Sequence, residues 1–306
     1  MSTIQKAWRA VRRSLAPNRR QVDFVIGGAQ KGGTTALDAF LRSHDALCMA
    51  ERKELHFFDD EERFGSERVD YRAYEASFRP NAGHRLLGEA TPIYLYWRAA
   101  PRRVHAYNPG MKWIVVLRDP VERAYSHWNM ERQRGAETLP FAEAIAAEAE
   151  RCQGACGLQH RVFSYVDRGR YFEQLRRVWS WFPREQVLVL KNDDLRRQPN
   201  TALGRVWDFL GVEPIDVVTR DVHARAYEEP IDAAVRERLR ELYAPGIREL
   251  ERVLGWDCSR WLSCAADPAD SKGDVDAPAG SGSRDAPERA GVADGDRRVA
   301  GGRSAG

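Results

Sequence analysis

The stretch Val22-Asp23-Phe24-Val25-Ile26-Gly27-Gly28-Ala29-Gln30-Lys31-Gly32-Gly33-Thr34-Thr35, continued by Ala36 to Arg42, decides how the chain is read. Val22 to Ile26 is short and mostly apolar, which predicts a strand. Ala36 to Arg42 sets Leu37, Phe40 and Leu41 on one helical face. Glycines, one lysine and two threonines lie between them. A strand, a glycine-rich turn and a helix start make an anion site. Backbone N–H groups point at the ligand, the helix dipole favours negative charge, and glycines let the backbone approach phosphate closely. Lys31 adds a point charge, and Thr34 and Thr35 add hydroxyl donors. The plain alternative is a tight turn with an incidental lysine. Lysine scarcity weighs against it, because the chain has 6 Lys and 42 Arg.

The loop departs from the Walker A pattern, in which Lys follows the last Gly and directly precedes Ser or Thr. Here Lys31 precedes Gly32 and Gly33, so its charge falls at a different point along a phosphate chain. Trp113 to Asp119 has the outline of a Walker B strand. Arg118, however, would set a cation beside the magnesium position.

Working outward, Leu86-Leu87-Gly88 leading into Glu89 predicts a second strand, Trp113 to Leu117 a third and Gln186 to Leu190 another. Pro120 suits the first position of a helix carrying Val121, Ala124, Tyr125 and Trp128. Phe172, Leu175, Trp179 and Phe182 form another helical stripe, and Leu203, Val206, Trp207 and Leu210 a third that stops at Gly211. Strands alternating with amphipathic helices predict an α/β fold: a single P-loop-like domain with a central, mostly parallel sheet flanked by helices.

Composition bounds the rest. The 306 residues are 43% hydrophobic and 30% charged, with a net charge of +3. That balance argues against a chain built to coat nucleic acid. Residues 1–20 carry Lys6, Arg9, Arg12, Arg13, Arg19 and Arg20 and no acid. They read as a solvated basic arm; Trp8, Val11 and Leu15 at helical spacing leave open a weak contact with an anionic membrane surface. Residues 264–306 lack aromatics and read as a disordered tail, so the folded domain is expected over 21–263. No apolar run approaches the roughly 18–20 residues needed to cross a bilayer, and the expected location is cytoplasmic, with peripheral membrane contact as an option. Cys48, Cys152, Cys156, Cys258 and Cys264 suggest free thiols, with a Cys152–Cys156 pair as the minor alternative.

Four co-ordered motifs sharpen the picture: Gln30-Lys31-Gly32-Gly33-Thr34-Thr35; Lys53-Glu54-Leu55-His56-Phe57-Phe58-Asp59; Gly88-Glu89-Ala90-Thr91-Pro92; and Leu117-Arg118-Asp119-Pro120-Val121-Glu122-Arg123-Ala124-Tyr125-Ser126. Weaker likeness follows at Gly169-Arg170-Tyr171, Phe182-Pro183 and Phe209-Leu210-Gly211-Val212. In order and spacing, across residues 22–257, the chain resembles the heparan-sulfate-type sulfotransferases. These use 3′-phosphoadenosine 5′-phosphosulfate (PAPS) and release adenosine 3′,5′-bisphosphate.

The resemblance implies roles. Lys31 would contact the 5′-phosphosulfate, with Gly32, Gly33, Thr34 and Thr35 donating to the 5′-phosphate. Arg118 and Ser126 would bind the 3′-phosphate; a strand-end guanidinium and a hydroxyl two helical turns on are suited to one phosphate. Glu54 would be the general base that takes the acceptor proton. His56, two residues on, would share a side with Glu54 if the segment is extended, where it could orient Glu54, touch the acceptor or act as the base. Arg225, with Tyr227, would cover the adenosine end. At Ala90 the animal enzymes carry a lysine, so Lys31 acts alone or Arg52, Lys53 or Arg225 enters the site. Glu89 then becomes a candidate for orienting the acceptor. Tyr94, Tyr96, Trp97, Trp128 and Tyr165 read as core residues that could otherwise line an acceptor cleft.

The implied reaction is in-line sulfuryl transfer from PAPS to a hydroxyl or amine, on a carbohydrate or glycoconjugate, with no metal required. Two other classes stand against it. One is a P-loop kinase or NTPase using ATP-Mg, and the other is a non-enzymatic anion-binding adapter.

Overall fold

The computed structural model describes residues 20–153, 159–217 and 230–263. The arm before residue 20, Cys156, Arg225, Tyr227 and the tail lie outside the described residues. Five strands form the sheet: β1 (Phe24–Gly28), β2 (Leu47–Met49), β3 (Leu86–Ala90), β4 (Lys112–Leu117) and β5 (Val187–Lys191). Their order is β2-β3-β1-β4-β5, and every pairing is parallel. β1 therefore sits between β3 and β4. The chain leaves β1 toward one edge and later returns to fill the other. In such sheets ligands bind at the carboxyl ends of the strands, where the order reverses.

The sheet buries both faces, and the period of two in the strands divides the core. Val25, Trp113, Val115, Leu117, Val187 and Val189 point to one side. There they meet α2 (Ala100–Tyr107), α3 (Pro120–Gln133), α5 (Tyr171–Trp179) and α7 (Ala233–Leu254). Phe24, Ile26, Ile114, Val116 and Leu190 point to the other side. They pack on α1 (Thr34–Arg42) and α6 (Pro199–Leu210). Another helix, α4 (Phe141–Gln153), follows α3. Among the described residues, no helix is long and apolar enough to cross a membrane.

Element boundaries differ from the sequence expectation for definable reasons. β1 runs through Gly27 and Gly28 instead of ending at Ile26, because Gly28 still pairs with Val115 of β4; the rings of Trp113 and the side chain of Leu95 fill the space that side chains at 27 and 28 would need. α1 begins at Thr34, two residues early, since Gly33 already turns the chain. β2 is only three residues long and has no alternation to detect. On α5 the buried stripe is Tyr171, Gln174, Leu175 and Val178, rotated from the expected one; Phe172 and Trp179 are partly exposed. α6 ends as expected at Gly211, which adopts φ 75°. Cys48, Cys152 and Cys258 are free thiols.

Pro120 opens α3, and Asp119 caps it: its Oδ1 accepts from the N–H groups of Val121 (2.8 Å) and Glu122 (3.3 Å). Burial raises the Asp119 carboxyl to about 7. The acid of the Walker-B-like strand is thus used to start a helix. Asp119→Ala should destabilise the protein by about 1–2 kcal/mol in urea unfolding, whereas Asp119→Asn, which keeps an acceptor, should lose clearly less.

Candidate active site

The loop after β1 is built around two glycines. A Cβ on Gly32 would lie 2.3 Å from the carbonyl oxygen of Val116, and Gly33 has φ 101°. Ala29 N–H donates to that same Val116 carbonyl (2.9 Å), which ties the loop to the end of β4. Asn192 Nδ2 donates to Gly32 O (3.0 Å) from the far side. α1 opens at Gly33 with no side-chain cap. The N–H groups of its first turn are therefore left for an anion, as the sequence reading requires.

Lys31 holds φ 64°. Among the described residues two other non-glycines have positive φ: Glu54 (62°) and His56 (53°). These are the residues assigned catalytic roles from the sequence. Left-handed backbone costs on the order of 1–2 kcal/mol for a side-chain-bearing residue and persists only where surroundings impose it. Residues 54–56 are thus not extended, the condition on which the sequence put both side chains on one side. Two left-handed residues flanking Leu55 bring the side chains together instead, with His56 Nε2 3.6 Å from Glu54 Oε2.

A buried carboxylate imposes this conformation from below. Glu89 is fully buried and accepts from Tyr74 OH (2.6 Å), Thr91 Oγ1 (2.7 Å) and Tyr94 OH (3.3 Å). Thr91 Oγ1 in turn accepts from Leu55 N–H (3.1 Å), and Tyr94 OH accepts from Phe57 N–H (3.0 Å) and Phe58 N–H (3.3 Å). Glu54 N–H donates to Ala90 O (2.8 Å) at the end of β3. Burial raises the Glu89 carboxyl to about 7. Glu89 is therefore a support under the loop and not an acceptor-orienting group.

Charge is graded along the segment. His56 Nδ1 lies 2.9 Å from Asp59 Oδ2. Hydrogen bonds to Asp59 and then Glu54 raise the imidazole to about 9. The His56 contact is the largest influence on Glu54 and, with Lys53, brings it down to about 2 against the opposing effect of burial. Arg161 bonds to Asp59 and stacks over Trp97. Lys53 Nζ bridges Thr35 Oγ1 (3.0 Å) and Glu54 Oε1 (3.1 Å), so the loop and the proposed base touch through one ammonium. Buried Arg168 donates to Gln30 Oε1, fixing the residue before Lys31.

Arg118 directly follows β4, and Ser126 lies on α3. At 3% and 4% exposure neither is a solvated surface position. Glu54 and His56 open on a cleft of about 230 Å³, shared with Gln30, Glu131, Arg134 and Arg161. A larger cavity of about 690 Å³, lined by Tyr125, Trp128 and Arg132, sits against the other face of α3; it holds none of the expected catalytic or donor-binding residues, but partly buried Trp128 is one of the aromatics the sequence offered for an acceptor cleft. Tyr94, Tyr96, Trp97 and Tyr165 are core. The sequence reading missed Asp59, Glu131, Arg134, Arg161 and Arg168. Of these, Asp59 alone carried a signal, three residues after His56 within the same motif.

Comparison with known proteins shows the family. The family model described as "Sulfotransferase domain" matches residues 21–233, and the chain belongs to that family. It is 35% identical over 207 residues to human heparan sulfate glucosamine 3-O-sulfotransferase 6, covering 65% of this chain and 55% of that one. It is 30% identical over 205 residues to human bifunctional heparan sulfate N-deacetylase/N-sulfotransferase 2, covering 64% of this chain and 23% of that one. The chain thus spans about half, or less, of the curated relatives' length. A sulfotransferase from Alicyclobacillus acidocaldarius has a TM-score of 0.70 and 30% identity, covering 80% of this chain and all of that one.

The folded His56 pKa lies above the unfolded value of 6.5, so its contribution to stability is complete below that value and is lost as pH rises through about 9. Glu54 is the reverse: its contribution is present above 4.5 and is lost as pH falls toward 2. Between these limits the pair is carboxylate and imidazolium. A proton NMR titration should find His56 charged up to about pH 9, and Asp59→Asn should move its midpoint toward 6.5. A parent midpoint near 6.5 would contradict the assignment.

Proposed function

We propose that the chain moves a sulfuryl group from PAPS to a hydroxyl or amine of a carbohydrate acceptor. The observation that carries this is the Lys53 ammonium, which joins Thr35, in the first turn of the helix after the glycine loop, to Glu54, with His56 Nε2 3.6 Å from the same carboxylate. The residues fit the donor. Glycine at 32 lets the loop close against Val116, the start of α1 is uncapped, and Lys31 lies in the loop. PAPS supplies an activated sulfuryl group on a phosphate leaving group. The names of the relatives support a glycan acceptor.

In this mechanism the acceptor oxygen or nitrogen forms a bond to sulfur while the sulfur–oxygen bond to the 5′-phosphate breaks. The electron pair stays with the phosphate, giving adenosine 3′,5′-bisphosphate. Glu54, ionised across the working range, takes the acceptor proton. His56, held charged by Asp59, fixes the carboxylate. Lys31 and the α1 N–H groups neutralise the leaving phosphate, and Arg118 and Ser126 hold the 3′-phosphate. The ATP-Mg alternative loses ground on two observations: Lys31 precedes the glycines, and Asp119 is occupied as a cap.

In a thermal-shift titration adenosine 3′,5′-bisphosphate should stabilise the protein well beyond ATP-Mg. Lys31→Ala and Arg118→Ala should abolish the shift. Glu54→Gln should keep the shift yet lower turnover of labelled PAPS by about 10²-fold or more. A preference for ATP-Mg would refute the proposal. Full turnover by Glu54→Gln would remove its base.

A further inference from the structure

Four lysines lie among the described residues, and they divide sharply. Lys112 donates to Phe209 O and lies over the Phe209 ring. Lys191 donates to Asp257 O and lies over the Trp256 ring. Both tie strand ends to neighbouring segments. Lys31 instead sits in the glycine loop, and Lys53 links the helix after that loop to Glu54. In a chain that uses arginine almost everywhere, a lysine offers a compact charge with three rotatable donors where a planar fork would not fit.

Lys53 holds no part of the core together. Its two partners are the Thr35 hydroxyl, in the first turn of the anion-binding helix, and the Glu54 carboxylate. They account for two of its three N–H donors, so one donor remains. The Lys53 side chain is 23% exposed, partly shielded from water, where its charge acts more strongly than in bulk solvent. It lies between the group that holds the donor's phosphate and the group that deprotonates the acceptor. On the mechanism proposed above, the transferred sulfuryl group crosses that gap. Residue 90 is a buried alanine packed in the core and Arg52 is exposed, while the two arginines of the cleft, Arg134 and Arg161, are paired with Glu131 and Asp59.

Resting on the sulfotransferase reading, we infer that Lys53 is a second catalytic cation, whose ammonium donates to the non-bridging sulfuryl oxygens of PAPS. It keeps its own proton throughout; the acceptor proton still goes to Glu54 and the leaving electron pair to the 5′-phosphate. The contact offsets the charge on the sulfuryl oxygens, and withdrawing from Glu54 Oε1 leaves the base freer to accept.

The test is differential binding, which needs no acceptor. Lys53→Met should weaken PAPS about tenfold, in keeping with one charge-assisted hydrogen bond. It should leave adenosine 3′,5′-bisphosphate, which has no sulfuryl group, within about twofold of the parent. Lys53→Arg should recover part of the loss, and PAPS hydrolysis by Lys53→Met should fall with it. Equal weakening of both ligands would make Lys53 a phosphate or structural contact and overturn the inference; so would no weakening of either. A parent protein that binds neither ligand defeats the sulfotransferase reading itself, a result distinguishable from the others.

Discussion

One carbonyl, that of Val116, governs how close the loop after β1 can come to β4. It accepts from Ala29 N–H at 2.9 Å and stands 2.3 Å from where a side chain on residue 32 would begin. Glycine at 32 lets the loop close onto the strand. The turn then delivers Gly33 at φ 101°, which starts α1 with its first N–H groups uncapped. Because β1 is flanked by β3 and β4, the same closure sets the loop between two other strand ends. Arg118 comes from one of them and the Glu54 segment lies beside the other.

The second layer of support is electrostatic and runs vertically through the sheet's edge. Glu89 accepts three hydroxyl hydrogen bonds in a water-free position, and two of those hydroxyls hold the backbone N–H groups of Leu55, Phe57 and Phe58. A buried polar network is worth having only when its members are satisfied. Here the hydroxyls act both as donors downward and as acceptors upward, so the strained turns at Glu54 and His56 rest on a fixed base. Above it, Asp59, His56, Glu54 and Lys53 alternate in sign. Alternation lets four ionisable groups crowd together without net repulsion.

Much of this was legible in the sequence. The glycine loop, the strand-helix alternation and Gly211 as a helix stop depend on local rules, namely glycine's access to positive φ and the periods of strand and helix. Pro120 announced a helix start because a proline at the first helical position acts within one turn, whereas Asp119, read as a Walker-B-like acid, showed itself as the cap only in the structure. The parts that were not legible depend on partners distant in sequence. Glu89 read as a candidate for orienting the acceptor, since nothing local shows that Tyr74 and Tyr94 enclose it. Arg161 and Arg168 were two arginines among 42. Only the chain's return past β3 and α3 brings them to Asp59 and Gln30.

The sequence by itself determined that this chain builds an anion-binding strand-loop-helix and carries a Lys-Glu-Leu-His segment in the order of the sulfotransferase family. Those properties reside in residue identity and spacing along a few turns of chain. The tertiary structure alone decided that Glu54 and His56 meet through left-handed backbone and not through an extended strand. It alone decided that Lys53 spans to Thr35 and that Glu89 lies beneath them. Side-chain meetings of that kind are settled by long-range packing, which sets what surrounds a group and therefore its charge, its hydrogen bonds and its reach.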